Sequence, residues 1–116
     1  MISDDPTQSN PEFYRLLWEN DFVRVLEYSD SPGDRTTPHM HPNSVMVTLS
    51  AFERRLSARG HSIDVALPAG HAVWLDAQRH SGENIGGSPT RSILIELKGA
   101  SAGVPAEGTL GPEHDL

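Results

Sequence analysis

A chain of 116 residues with 36% hydrophobic residues and no cysteine has room for one domain with a modest core, and excludes disulfide staples, thiolate zinc sites and a cysteine nucleophile. The formal charge is −7, but five of the sixteen acids (Asp4, Asp5, Glu107, Glu113 and Asp115) lie at the ends, and residues 12–98 set eleven acids against all nine basic residues. That leaves no basic stripe to track phosphates, which argues against nucleic acid as a partner. The N-terminus lacks the basic and apolar regions of a secretory signal, and no apolar run approaches the roughly 20 residues that span a bilayer. A soluble, cytoplasmic protein without a membrane partner is expected, and the lack of cysteine fits a reducing compartment.

Residues 1–11 are polar, contain two prolines and are expected to form a loose arm. The stretch EFYRLLWEN that follows reads equally as a strand or as a single helical turn. DFVRVLEYS sets Phe22, Arg24 and Leu26 against Val23 and Val25, the period of a strand. SPGD, at 31–34, is a turn signal. SVMVTLSAF is β-branched and apolar, and RRLSAR continues it with charged alternation. SIDVALP, HAVWLD and TRSILIELK are three further short strands between Gly, Pro and Asn clusters. Residues 99–116 are rich in Gly, Ala and Pro and are expected to be a flexible tail, because they bury too little surface to offset their ordering entropy. Nothing sustains helical periodicity over three turns. Short strands about ten residues apart predict an all-β sandwich or barrel, with the double-sheet jelly roll as the natural candidate, over residues 12–98.

Two stretches carry chemistry. In PHMHP, His39 and His41 would project from one face of a strand while Met40 points the other way. Two imidazoles buried without partners are costly, and a divalent metal would satisfy both. A solvated pair on an edge strand is the competing reading of those two residues alone. The second stretch, WLDAQRHSGENIGG, places His80 four residues before Asn84. Together they resemble the motifs of the small single-domain cupins, Gly-x5-His-x-His-x3/4-Glu-x6-Gly and a Pro-x-Gly element followed by His-x3-Asn. Gly33, His39 and His41 match the first motif, and His80 and Asn84 match the second, while DAQ stands where proline and glycine are usual. The resemblance implies a double-stranded β-helix, the cupin jelly-roll barrel, with one metal in its mouth held by His39, His41 and His80.

The departure from the motif is the missing glutamate. Its position falls at Val45 or Met46, and residues 42–52 contain no acid; the motif's second glycine is replaced by Phe52 or Glu53. Neutral ligands alone would leave the full +2 charge on the ion, strengthening it as a Lewis acid and favouring anionic co-ligands. The donor type suits iron, zinc, nickel or copper. Three-histidine cupins such as the diketone-cleaving dioxygenases use ferrous iron, so the resemblance favours Fe(II) and an oxygenase acting on a small enolisable or chelating substrate such as a β-diketonate. A non-redox zinc or nickel lyase, isomerase or hydratase, and a non-catalytic ligand-binding barrel, remain alternatives, and no catalytic acid or base is assigned.

Several other residues are weighed for the pocket. Met46 is the first choice for a wall beside the metal, with Val45 and Trp74 as further candidates. Glu83 could accept a histidine N–H or replace the missing ligand, although strand parity puts it opposite His80. Arg24 or Arg91 could receive a substrate carboxylate. Asn84 is expected to tighten a turn. His61, His71 and His114 are expected in solvated turns or the tail. Small cupins commonly pair through their outer sheets, so a homodimer is expected, with Phe13, Tyr14, Leu17 and Trp18 offering an apolar edge.

Overall fold

Alternating apolar and polar residues build nine strands among the described residues, and Gly, Pro and Asn residues punctuate most of their ends. The structure, a computed structural model, describes residues 3–113; His114 and Asp115 lie outside the described residues. After a helical turn, α1 at Pro6–Ser9, come β1 (Tyr14–Glu19), β2 (Val23–Asp30), β3 (His39–His41), β4 (Ser44–Thr48) and β5 (Phe52–Ala58). They are followed by β6 (His61–Leu67), β7 (Ala72–Leu75), β8 (Gln78–Asn84) and β9 (Thr90–Leu97). Two antiparallel sheets result, a five-stranded one in the order β1-β2-β9-β4-β7 and a four-stranded one in the order β3-β8-β5-β6. No described helix is long and apolar enough to cross a membrane.

The ambiguous EFYRLLWEN resolves as an edge strand. Tyr14 pairs opposite Tyr28 and Leu16 opposite Leu26, and a register shift before Trp18 marks a bulge. The run from SVMVTLSAF into RRLSAR is two strands rather than one. It breaks at Leu49–Ala51, where the N–H groups of Leu49 and Ser50 donate to the Arg91 carbonyl, and β4 and β5 enter different sheets. The chain thus crosses from one sheet to the other between two runs of similar composition.

Tyr14, Leu26, Tyr28, Leu75 and Leu94 form the core of the five-stranded sheet, and Phe52 and Leu56 are buried from the other. Each fully buried large side chain contributes about 1.5–3 kcal/mol through removal from water. The core is also polar to an unusual degree. Arg54 on β5 donates to Asp30 Oδ2 (2.6 Å) and to the Tyr28 hydroxyl (2.9 Å), and Asn84 donates to Asp30 Oδ1 (3.0 Å). Gly82 faces this network: a Cβ there would lie 2.8 Å from Arg54 Nη2. Asn84 also tightens its turn, its Oδ1 accepting from the Gly86 N–H at 2.9 Å.

Both ends touch the barrel where they are described. Asp5 caps α1 by accepting from the Thr7 N–H at 2.9 Å and pairs with Arg24 at 2.7 Å. Asn10 is 1% exposed, and its Oδ1 accepts from the Thr37 N–H at 2.8 Å. At the other end Gly99–Ala102 form a 3-10 turn, and Gly111 and Pro112 are buried. These contacts are polar, and composition does not register them.

Candidate metal centre

The site is set by the register of two short strands. In the β3–β8 pair His39 lies opposite His80, and His41 lies opposite Gln78. Side chains two apart share a face, so all three rings point into the barrel and Met40 and Arg79 point out. His39 and His41 are each 1% exposed and His80 is 7% exposed. The ring centroids lie 4.8–5.1 Å apart, and the three ligating nitrogens lie within 4.8 Å of one another.

Hydrogen bonds fix which nitrogen each ring offers. His39 Nδ1 is 2.8 Å from the Thr37 carbonyl, His41 Nδ1 is 2.8 Å from Glu96 Oε2, and His80 Nδ1 is 2.8 Å from Gln78 Oε1. A carbonyl, a carboxylate and an amide oxygen only accept, so each Nδ1 carries the hydrogen, and in the neutral ring each Nε2 offers a lone pair. Outer acceptors of this kind orient histidine ligands and raise their basicity. Burial, reinforced by the neighbouring His41 ring, holds His39 down at about 3. Burial and the His41 and His39 rings hold His80 well below its ordinary range. Both rings are therefore neutral at pH 7, the form that binds metal. The donor set fits a divalent transition metal, and nitrogen ligation suits iron, zinc, nickel and copper alike.

Two residues that the sequence did not single out complete the centre. Glu96 on β9 is 1% exposed and binds His41 on one oxygen; on the other it accepts from Arg24 Nη2 at 2.7 Å, and Arg24 in turn pairs with Asp5. Alternation along SILIEL carried the signal, since Glu96 shares the inward register of Ser92 and Leu94. Tyr14 on β1 places its hydroxyl 3.1 Å from His39 Nε2 and 3.2 Å from His41 Nε2. Burial raises that hydroxyl above its ordinary range. Nothing in the sequence marks Tyr14 until its pairing with Tyr28 turns it inward.

A cavity of about 50 Å³ adjoins the rings, lined among others by Tyr14, Met46, Phe52, Arg54 and Pro112. That is space for a water or two beside an ion. A separate groove of about 910 Å³ shares His80 as a wall and runs between Met40, Arg59 and Arg79 and the segment around Leu110.

The crystal structure of a cupin domain from Bordetella pertussis Tohama I superposes with a TM-score of 0.69 at 23% identity, over 74% of this chain and 92% of that one. A conserved Klebsiella pneumoniae protein with a double-stranded β-helix domain gives 0.59 at 20% identity, covering 88% and 84%. An RmlC-like cupin from Methanocaldococcus jannaschii gives 0.59 at 11% identity, covering 73% and 78%. The chain has the cupin fold. Such likeness establishes the barrel and leaves the activity to the site. No protein-family model and no curated protein matches the sequence.

Within the cupin barrel the other pocket candidates separate. Met46 lines the cavity from β4, in one of the two positions that align with the motif glutamate. Val45 does not: it pairs with Trp74 and Ile95 on the face turned away from Leu94 and Met46, and Trp74 shares that face, its indole N–H donating to Asp76 at 2.7 Å. Glu83 points out from β8 towards Arg35, 3.5 Å away. Arg91 is exposed and paired with Glu27 at 2.9 Å. All four positions follow strand parity, as already read for Glu83, since each residue is one position out of step with an inward-facing neighbour. Arg24 is engaged by Glu96 and Asp5 and is not free for a substrate. His61 and His71 are exposed.

Proposed function

We propose that this cupin is a metal-dependent enzyme whose divalent ion is held by His39, His41 and His80. Fe(II) is the favoured ion, and the substrate a small enolisable or chelating anion oxidised by dioxygen. The observation that carries the reading is the matched set of three Nδ1 acceptors, which turns three Nε2 lone pairs towards one another. A solvated or merely structural trio of histidines needs no such alignment. The bound ion would supply Lewis acidity and a place for substrate oxygen atoms and dioxygen. The protein supplies imidazole ligands and a barrel wall that excludes bulk water.

The test is metal content after anaerobic purification, with His39→Ala and His80→Ala alongside. One equivalent of iron, lost in both variants, with oxygen uptake on adding a β-diketone, is the expected result. Zinc or nickel at that level with turnover indifferent to dioxygen would move the chemistry to a non-redox lyase, isomerase or hydratase. No metal after reconstitution would reduce the barrel to a binding module.

The assembly proposed is a homodimer through the outer face of the five-stranded sheet. Trp18, Val25, Ile95, Val45 and Trp74 make one cross-strand row over all five strands of that face. Tyr14 and Phe13, expected at the contact, pack inward instead. Residues 12–98 are proposed as the functional unit in a cytoplasmic setting.

A further inference from the structure

One oxygen stands against two of the three candidate ligand nitrogens. His39 Nδ1 donates to the Thr37 carbonyl and His41 Nδ1 to the Glu96 carboxylate, which turns both Nε2 atoms inward. The Tyr14 hydroxyl lies within hydrogen-bond distance of both, at 3.1 and 3.2 Å. A phenol has one hydrogen and can donate to only one of them; without an ion the other contact needs a second proton on His41, balanced by the Glu96 carboxylate. The spacings have a second meaning. Donors about 2.0–2.1 Å from a shared tetrahedral ion are about 3.3–3.4 Å apart. The Tyr14 oxygen already stands close to that separation from each of the two nitrogens.

We infer that Tyr14 Oη is a fourth donor to the ion held by His39, His41 and His80. As a phenolate it supplies the negative charge that Met46 and Val45 cannot supply at the motif's glutamate position. The inference rests on the three-histidine reading. On binding, the phenol gives its proton to solvent and the oxygen takes the ion in its place. The donor comes from β1, an edge strand of the opposite sheet, rather than from the motif strands, and the ion would tie the two sheets together.

The test uses the full chain, metal-free, titrated with Cu(II), whose phenolate complexes absorb in the visible through ligand-to-metal charge transfer. Wild type is expected to bind one equivalent and to show that band. Tyr14→Phe is expected to bind copper without the band and to release one proton fewer per ion, measured by calorimetry in buffers of different ionisation enthalpy. A wild-type protein that binds one equivalent, loses it in His80→Ala and shows no band overturns the tyrosine donor and leaves the three-histidine site standing. The same band in Tyr14→Phe also overturns it. Copper binding unaffected by His39→Ala and His80→Ala overturns both readings. The wild-type spectrum decides the matter even if Tyr14→Phe folds poorly.

Discussion

His39 and His80 are neutral in the folded protein because burial, and next the adjacent rings, oppose their charging. In an unfolded chain a histidine takes its proton near pH 6.5. The sign follows directly. Above about pH 6.5 neither state binds the proton and the full stability is present. As the pH falls below that, the unfolded chain gains protons that the native rings refuse, and stability is lost towards the depressed folded values. For metal-free protein the folding constant should fall by up to about tenfold per pH unit for each ring. Urea unfolding between pH 7 and 5, a window above the ordinary carboxylate range, reads this out, and a flat profile there would show that the rings are not buried neutral. Tyr14 and Glu96 belong to the same scale. Neither is rare or motif-bound, and only folding brings Glu96 to His41 and Tyr14 to both His39 and His41.

Strands decide which residues meet, and β5 shows how strictly. Arg54 carries a buried cation from the four-stranded sheet to Asp30 and Tyr28 on β2 and reaches towards Thr90 on β9. Replacing it by methionine leaves Asp30 buried without its counter-charge, and a loss of about 3–5 kcal/mol is expected. Adding Asp30→Asn should recover much of that loss, since the uncompensated charge is then gone. Urea midpoints of the single and double variants measure both effects, and near-additive losses would argue against a coupled pair. At this scale the sequence was partly legible. Alternation exposed β2, β6, β7 and β9, and the cupin spacing located all three histidines, because both signals are local. The split between β4 and β5 was hidden, since the crossing at Leu49–Ala51 has no proline or glycine to mark it. Parity already turned Glu83 away from His80, whereas Val45, Trp74 and Arg91 could not be assigned a face. Their strands were recognised, but which face of each met the core depends on partners in the other sheet.

At the scale of the whole molecule, the outer face of the five-stranded sheet carries an apolar row in which Val25 is already buried. Trp18 is 54% exposed and ends the row through Val25, Ile95, Val45 and Trp74, a concentration of aromatic and branched residues that marks interaction surfaces. Placing aspartate at Trp18 and Ile95 together should convert a dimer to a monomer in sedimentation or light scattering while leaving the circular dichroism of the barrel intact. A wild-type monomer at micromolar concentration would remove the dimer from the account. The same scale joins the two chain ends to the centre. From the N-terminal side Asp5 holds Arg24, which holds Glu96, which holds His41. From the C-terminal side Gly111 is clasped by Gln78 through two hydrogen bonds, at 2.7 and 3.1 Å, and the same Gln78 oxygen receives His80. Linkage is reciprocal: if the ends steady the ligands, an ion on the ligands steadies the ends. Proteolytic trimming at either terminus, which a small barrel would otherwise tolerate, then becomes an event that the metal resists while it is bound and that releases it once done.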